Sequence, residues 1–176
     1  MIPSLETERL VMRGWRASDL DCLAAIGADD LAARFLGGMM NRAESWRRMA
    51  YFTGHFAIRG YGFLAIEEKA TGECVGWCGC YFPEDWPDRK IGWTLAPSAR
   101  GKGYATEAAL RARAHAYDDL GWPTAISLIA LANSASIAVA RRLGAKLESA
   151  RIYRGLECGV FRHPGATDLK TQSNIH

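Results

Sequence analysis

The apolar positions change period several times along the chain, and each change predicts an element. Residues 9–15 alternate, with Leu10, Met12 and Gly14 on one face and Val11 and Arg13 on the other, which predicts a first strand. Ser18 then predicts a helix start. Its hydroxyl can accept from following backbone amides, Asp19 and Asp21 suit the positive end of the dipole, and Leu20, Leu23, Ala24 and Gly27 recur at helical spacing. Asn41-Arg42-Ala43-Glu44 has the form of a capping box. The stripe Trp46, Met49, Ala50, Thr53 and Phe56-Ala57 predicts a helix that stops at Gly60.

Residues 61–67 and 73–81 read as two strands joined by a short turn, a hairpin. A loop over 82–88 containing Pro and Asp leads to a strand at 90–95. A helix is predicted over 104–120, where Ala105, Ala109, Ala112, Ala116 and Leu120 repeat along one side and allow close packing on a sheet, with Gly121 as its stop. Residues 125–130 form a short apolar strand. Residues 133–143 form a helix with Ile137, Ala140 and Leu143 inward, Arg141 and Arg142 toward solvent and Gly144 as the stop. Residues 145–149 and 158–162 finish the sheet, and residues 167–176 read as a frayed polar tail. The order β-α-α-β-β-β-α-β-α-β-β with a mixed sheet is α+β or α/β.

Composition narrows this modestly. A chain of 176 residues, 49% hydrophobic, suits one domain, taken as residues 1–166 before the tail. The 22 Lys and Arg against 19 Asp and Glu leave +3, too small and too dispersed to make nucleic acid the expected partner. No apolar run approaches a membrane span, and Glu6 and Glu8 interrupt the place of a signal-peptide core, so a cytoplasmic protein is expected. Five cysteines suggest reduced thiols rather than a disulfide framework. The spacing of Cys74, Cys78 and Cys80 is not a usual zinc spacing. It predicts three small apolar side chains on one face of a strand, and no metal is expected.

The segment Arg100-Gly101-Lys102-Gly103-Tyr104-Ala105-Thr106, between a strand and a helix, reads as a phosphate loop. Its glycines let successive N–H groups point one way, the helix adds its positive end, and Arg100 and Lys102 add charge. The bland alternative is a Gly-rich turn that binds nothing. A nucleotide P-loop would need Ser or Thr after Lys102, where Gly103 stands. A dinucleotide fingerprint would need glycine at Thr106 and a place after the first strand.

What remains, Arg-x-x-Gly-x-Ala over Arg100 to Ala105, resembles the acyl-coenzyme A pyrophosphate loop of the GNAT superfamily of N-acetyltransferases. Thr7-Glu8-Arg9-Leu10-Val11-Met12-Arg13, Ile91-Gly92-Trp93, the loop itself through Ala108, and Asn133-x-x-Ser136 through Leu143-Gly144 are, in that order, similar to the RimJ/RimL branch. The resemblance implies a three-layer α+β fold: a mixed, mostly antiparallel sheet of about seven strands, a splayed central pair (91–95 and 125–130), and about four helices. Pantetheine of acetyl-CoA would enter the splay and pair like an added strand with backbone near Leu95 and Pro97. The pyrophosphate would rest on the amides of Arg100, Gly101, Lys102, Gly103, Tyr104 and Ala105, with the Thr106 hydroxyl adding a bond. Asn133 and Ser136 would face the pantetheine or sulfur end, and Asn133 also reads as an N-cap.

The implied reaction is acetyl transfer to a primary amine, on a small molecule or a protein N-terminus, by direct attack in a ternary complex. A backbone amide near Leu95 would stabilise the oxyanion. Many relatives place an acidic tyrosine seven residues after the asparagine, where Ala140 stands here, so Ser136 becomes the candidate proton donor to the thiolate. Relatives commonly carry an acid just before Ile91-Gly92-Trp93. Here that position is Lys90, after Arg89, which makes the acceptor pocket less negative and points to a substrate that itself carries an acid. Glu84, Asp85 and Asp88 are candidate replacements for the carboxylate, and His55 and His115 read as structural. The acceptor cleft is expected from residues 35–56 and 151–159. Monomer and homodimer are both compatible, no membrane partner is expected, and the alternative function is a catalytically weak acyl-CoA-binding module.

Overall fold

The computed structural model describes residues 2–173. Eight strands, β1 (Leu5–Glu6), β2 (Leu10–Arg13), β3 (Phe63–Glu68), β4 (Cys74–Tyr81), β5 (Lys90–Leu95), β6 (Ile126–Ala130), β7 (Lys146–Tyr153) and β8 (Leu156–Arg162), form one sheet in the order β1-β2-β3-β4-β5-β6-β8-β7. All neighbours are antiparallel except β5 and β6. The helices are α1 (Leu20–Gly27), α2 (Asp30–Leu36), α3 (Arg42–Arg59), α4 (Tyr104–Asp118), α5 (Ser134–Arg142) and α6 (Ala166–Ser173). No helix among the described residues is long and apolar enough to cross a membrane.

The architecture is the expected mixed α+β sheet, with eight strands rather than seven and six α-helices rather than four. The extra strand β1 is two residues long, pairing Leu5 with Met12, too short to carry a period. The extra helix α2 is seven residues long, capped by the Asp29 side chain accepting from Ala32 N at 2.8 Å and closed by left-handed Gly37. The polar tail expected over 167–176 is helical through Ser173 in α6, whose Leu169 packs on the core; residues 174–176 lie outside the described residues.

Two local readings are corrected. Ser18 does not cap α1. A single 3-10 turn over Ala17–Asp19 precedes the helix, and the Asp19 carboxylate turns inward to accept from Arg16 N (2.8 Å) and from both Nη atoms of Arg13 (2.8 and 3.0 Å). Arg13 and Asp19 are both buried, and such an ion pair must satisfy itself internally. The three strand cysteines do not share a face either. The β3–β4 register passes from Ile66↔Gly76 to Glu67↔Cys74, leaving Val75 as a bulge. Cys78 and Cys80 stay in the core with Val75, while the bulge turns Cys74 to the other side, against Cys22 of α1. Among the described residues no cluster of His, Cys, Asp and Glu is arranged to hold a metal ion.

The sheet separates two packed layers. On one face Ala108, Ala109, Ala112 and Ala116 of α4 lie against Leu10, Met12, Leu64, Ile66, Cys78 and Ile91, and the absence of larger side chains lets helix and sheet approach closely. On the other face α1, α2 and α3 bury Leu23, Ile26, Ala32, Met49 and Phe52 against Phe63, Trp77 and Tyr81. The capping box of α3 is present in full, with Asn41 Oδ1 accepting from Glu44 N (3.0 Å) and Glu44 Oε2 from Asn41 N (2.7 Å). Trp46 does not join the buried stripe; it is 55% exposed.

The parallel junction is a fork. Only Lys90 pairs with Ile126, through Ile126 N donating to Arg89 O at 2.9 Å. One step further the Ser127 hydroxyl, not a backbone amide, donates to Ile91 O (2.8 Å), and beyond this point the strands part. Ser127 Oγ also lies 2.9 Å from His163 Nε2, and burial, with the charges of Arg113 and Arg162, pushes the pKa of His163 down to about 3. A neutral Ser-His pair thus stands at the crotch of the fork. β5 remains paired to β4 along its length and β6 to β8, so the opening faces the carboxyl ends of β5 and β6, where the connections to α4 and α5 begin.

Candidate active site

Strand geometry decides which backbone groups the fork exposes. Arg89 O and Ile91 O point toward β6, whereas Ala96 N donates to Val75 O on the β4 side. Because successive residues alternate, the N–H and C=O groups of Trp93 and Leu95 face the gap, without a partner strand. The side chains alternate as well. Trp93 and Leu95 pack toward α4, while Lys90, Gly92 and Thr94 lie on the face of α1–α3, where a Cβ on Gly92 would meet Lys90 Cε at 2.9 Å and the Phe63 ring at 3.0 Å.

The fork opens into a cleft of about 1700 Å³. Of the residues expected to bind the cofactor, Leu95, Arg100, Gly101, Gly103, Ala105, Thr106, Asn133 and Ser136 line it. Pro97, Lys102 and Tyr104 do not. Pro97 opens a 3-10 turn, Pro97–Ala99, and its carbonyl already accepts from Arg100 N at 3.4 Å. Tyr104 is turned under the sheet, where its hydroxyl donates to Glu68, and Lys102 extends over the Tyr104 ring (5.7 Å) with Nζ 3.7 Å from Glu68.

Gly103 is the N-cap of α4 in the left-handed conformation at φ 84°, and no side chain caps the helix. The first intrahelical bond runs from Glu107 N to Gly103 O, which leaves the amides of Tyr104, Ala105 and Thr106 directed out of the helix end. Gly101, at φ 77°, supplies the preceding reversal. The loop is strapped from behind by Arg9, whose Nη1 donates to Lys102 O (2.9 Å) and whose Nε donates to Glu107 Oε2 (2.7 Å). The loop's own charges are already partnered. Arg100 pairs with Asp29 at 2.5 Å and holds that carboxyl below its usual range, so what the loop offers to an anion is backbone dipoles more than free cations.

At the other side of the fork Asn133 caps α5, its Oδ1 accepting from Ser136 N at 3.1 Å. Ser136 faces the cleft from the first turn. Ala140 is fully buried with Ile129, Ala145 and Phe161 and does not line the cleft; Val139 does. Arg142, expected to face solvent, also lines it. None of the candidate replacement acids lines the cleft: Glu84 pairs with Arg59, Asp88 pairs with Arg162, and Asp85 is exposed at φ 68° in the loop. His55 bonds Tyr61 O and Phe82 N, and His115 bonds Asp119, both as structural residues.

The half of the cleft under α3 contains what the sequence reading expected from 35–56 and 151–159, including Phe35, Tyr51, Tyr153 and Arg154. It also contains residues that reading missed. Trp86, from the loop over 82–89, stands edge-on to Tyr81 (5.3 Å between ring centroids) and to Tyr153 (4.8 Å), and its ring lies 5.0 Å from Lys90 Nζ. The only signal in the sequence is an aromatic residue in a loop otherwise rich in Pro and Asp. Burial lowers the pKa of Lys90 to about 8.

Residues 9–146 match the model of the Acetyltransferase (GNAT) domain family, and the protein belongs to that family. An acetyltransferase of Agrobacterium tumefaciens str. C58 is similar over 93% of this chain and 95% of its own, at 31% identity and a TM-score of 0.83. RimL, a ribosomal L7/L12 alpha-N-protein acetyltransferase, shares the fold at 17% identity, with 93% and 94% of the two chains covered and a TM-score of 0.76. The curated protein YkkB of Bacillus subtilis (strain 168) is 34% identical over 91 residues, 49% of this chain and 52% of YkkB, so the match spans about half the length of that relative.

Proposed function

We propose that the protein transfers the acetyl group of acetyl-CoA to a primary amine, on a small molecule or a protein N-terminus, by direct attack in a ternary complex. One observation carries this reading: the backbone edge of β5 at Trp93 and Leu95, which has no partner strand among the described residues, lies in the same cleft as the uncapped N-terminus of α4. The first needs a strand-like partner with amides, and the second needs an anion. Pantetheine joined to a pyrophosphate is a ligand with both, and membership of the family supports acetyl-CoA as its source.

On this reading the amides of Tyr104, Ala105 and Thr106 hold the pyrophosphate, and the open edge of β5 aligns the pantetheine arm. The Leu95 N–H then points at the thioester oxygen, where it favours the charge that develops as the amine attacks. Ser136 is the proton donor to the thiolate, and the proton that the attacking nitrogen loses restores its hydroxyl. No covalent enzyme intermediate is needed, because holding the amine in line with the acyl carbon lowers the barrier by several kcal/mol on its own.

The test is incubation with acetyl-CoA and a panel of amines and N-terminal peptides, following free thiol and the mass of the acceptor together. The expected result is one acetylated acceptor per thiol released. Coenzyme A binding without thiol release across the panel would favour the acyl-CoA-binding module instead.

A further inference from the structure

Unlike Arg100 and Lys102 of the phosphate loop, which pair with Asp29 and Glu68, several cations that line the cleft have no acid partner among the described residues. Lys90, Arg48 and Arg154 come from β5, α3 and the β7–β8 turn and line one wall of the cleft. Lys90 and Arg154 are linked through the aromatic floor: Lys90 Nζ lies 5.0 Å from the Trp86 ring, Trp86 4.8 Å from Tyr153, and the Arg154 guanidinium 5.4 Å over Tyr153, while Arg48 feels the charge of Arg154. Among the described residues none of the three is in an ion pair. Arg48 donates only to a backbone carbonyl, Leu36 O, at 3.0 Å. Three acids line the cleft. Glu107 is tied to Arg9, Glu44 is used in the capping box of α3, and Glu8 neighbours Arg9 at the strap behind the phosphate loop.

A further observation points to a ligand at this wall. Arg154 has φ 49° and precedes Gly155 at φ 78° in the two-residue turn that joins β7 to β8. Such a turn favours Asn or Gly at its first position, so an arginine there carries backbone strain of order 1 kcal/mol or more. That strained turn is what brings the guanidinium beside the floor. The charges also act on one another. Burial lowers the pKa of both Lys90 and Arg48, and the neighbouring charge of Arg154 lowers each further, while Cys158 opposes the shift at Lys90. A bound anion removes this repulsion.

Resting on the acetyltransferase reading, we propose that the acceptor amine carries a carboxylate or phosphate group, which Lys90, Arg48 and Arg154 hold. Lys90 Cε packs beside Gly92 at the fork, on the same strand that carries the Leu95 amide, so the anion and the acyl group are held along one edge. The function gained is specificity: a cationic amine without the anion meets three uncompensated positive charges.

The first arm of the test measures binding, independently of turnover. Calorimetry establishes saturation with coenzyme A, so that the phosphate loop is filled, and inorganic phosphate is then titrated while the melting temperature is followed. The expected result is phosphate-dependent stabilisation that both Lys90→Gln and Arg154→Gln weaken by about tenfold in apparent affinity. Loss of coenzyme A binding sinks the acetyltransferase reading; binding of coenzyme A with no phosphate effect, or an effect untouched by both variants, overturns the anion site alone. The second arm compares matched acceptors, phosphoethanolamine with ethanolamine and amino acids with their amides, and so separates phosphate from carboxylate. The anionic member of at least one pair is expected to have the higher kcat/KM, by about tenfold, through KM, and Arg154→Gln to narrow that ratio. Equal or better turnover of every member that lacks the anion overturns the proposal.

Discussion

The two ends of the cleft are built on different principles. At the phosphate-loop end the proposed recognition groups are the backbone amides of Tyr104, Ala105 and Thr106, and the nearby cations Arg100 and Lys102 already have Asp29 and Glu68 as partners. At the proposed acceptor end the groups are side chains from α3, the loop over 82–89, β5 and the β7–β8 turn, and among the described residues Lys90, Arg48 and Arg154 have no acid partners. A ligand common to a family is met by geometry that little can alter. A ligand particular to one member is met by side chains that can change one at a time.

This contrast is broken most severely at Gly103. Gly103→Asp puts an anion at the helix N-terminus and a side chain on a left-handed residue whose Cβ would stand 3.3 Å from Arg9. Coenzyme A affinity is expected to fall on the order of 100-fold or more, since like-charge contacts cost several kcal/mol. Calorimetry measures the loss, and circular dichroism checks that the fold survives.

The crotch of the fork, on which both ends depend, gives the next effect. Folded His163 has a pKa of about 3 against about 6.5 when unfolded, so above pH 6.5 it is neutral in both states and adds no pH dependence. As pH falls below 6.5 the unfolded chain takes the proton first, and stability is lost down to about pH 3, at about 1.4 kcal/mol per pH unit. Urea midpoints at pH 7.5 and 5 should therefore show wild type losing about 2 kcal/mol more than His163→Gln. Equal losses would remove His163 as the cause.

Smaller effects sharpen the boundary between the two ends. Ser136→Ala is expected to lower kcat about tenfold, less than the ~10²–10⁴ of a well-matched acid, with coenzyme A affinity unchanged. An unaltered kcat would leave Ser136 as a first-turn residue only. Asn133→Ala removes the cap on α5 and should cost about 1 kcal/mol in thermal or urea unfolding. Arg9→Ala, which cuts the exposed strap to Lys102 O, should weaken coenzyme A binding only a few-fold, because loop conformation is set mainly by the glycines.

The same contrast explains what was legible in the sequence. The loop, its glycines and the caps at Asn41 and Asn133 depend on neighbours three or four residues away, so their spacing in the sequence is their geometry. The inward turn of Asp19 depends on Arg13 in the preceding strand, and the reversal of Cys74 depends on a bulge set by register against β3, neither of which leaves a local period. Lys90 was visible as a departure from the family pattern. Its surroundings were not, because Trp86, Tyr153, Arg154 and Arg48 meet only when β5, α3 and the β7–β8 turn are packed around one cleft.

The central claim is that coenzyme A lies along the open edge of β5 with its pyrophosphate on the first turn of α4. Amide hydrogen exchange with and without coenzyme A tests it most directly. Protection is predicted at the Trp93 and Leu95 amides and at Tyr104, Ala105 and Thr106, with Gly103→Asp abolishing both. Protection elsewhere in the cleft, with these amides exchanging unchanged, would contradict it.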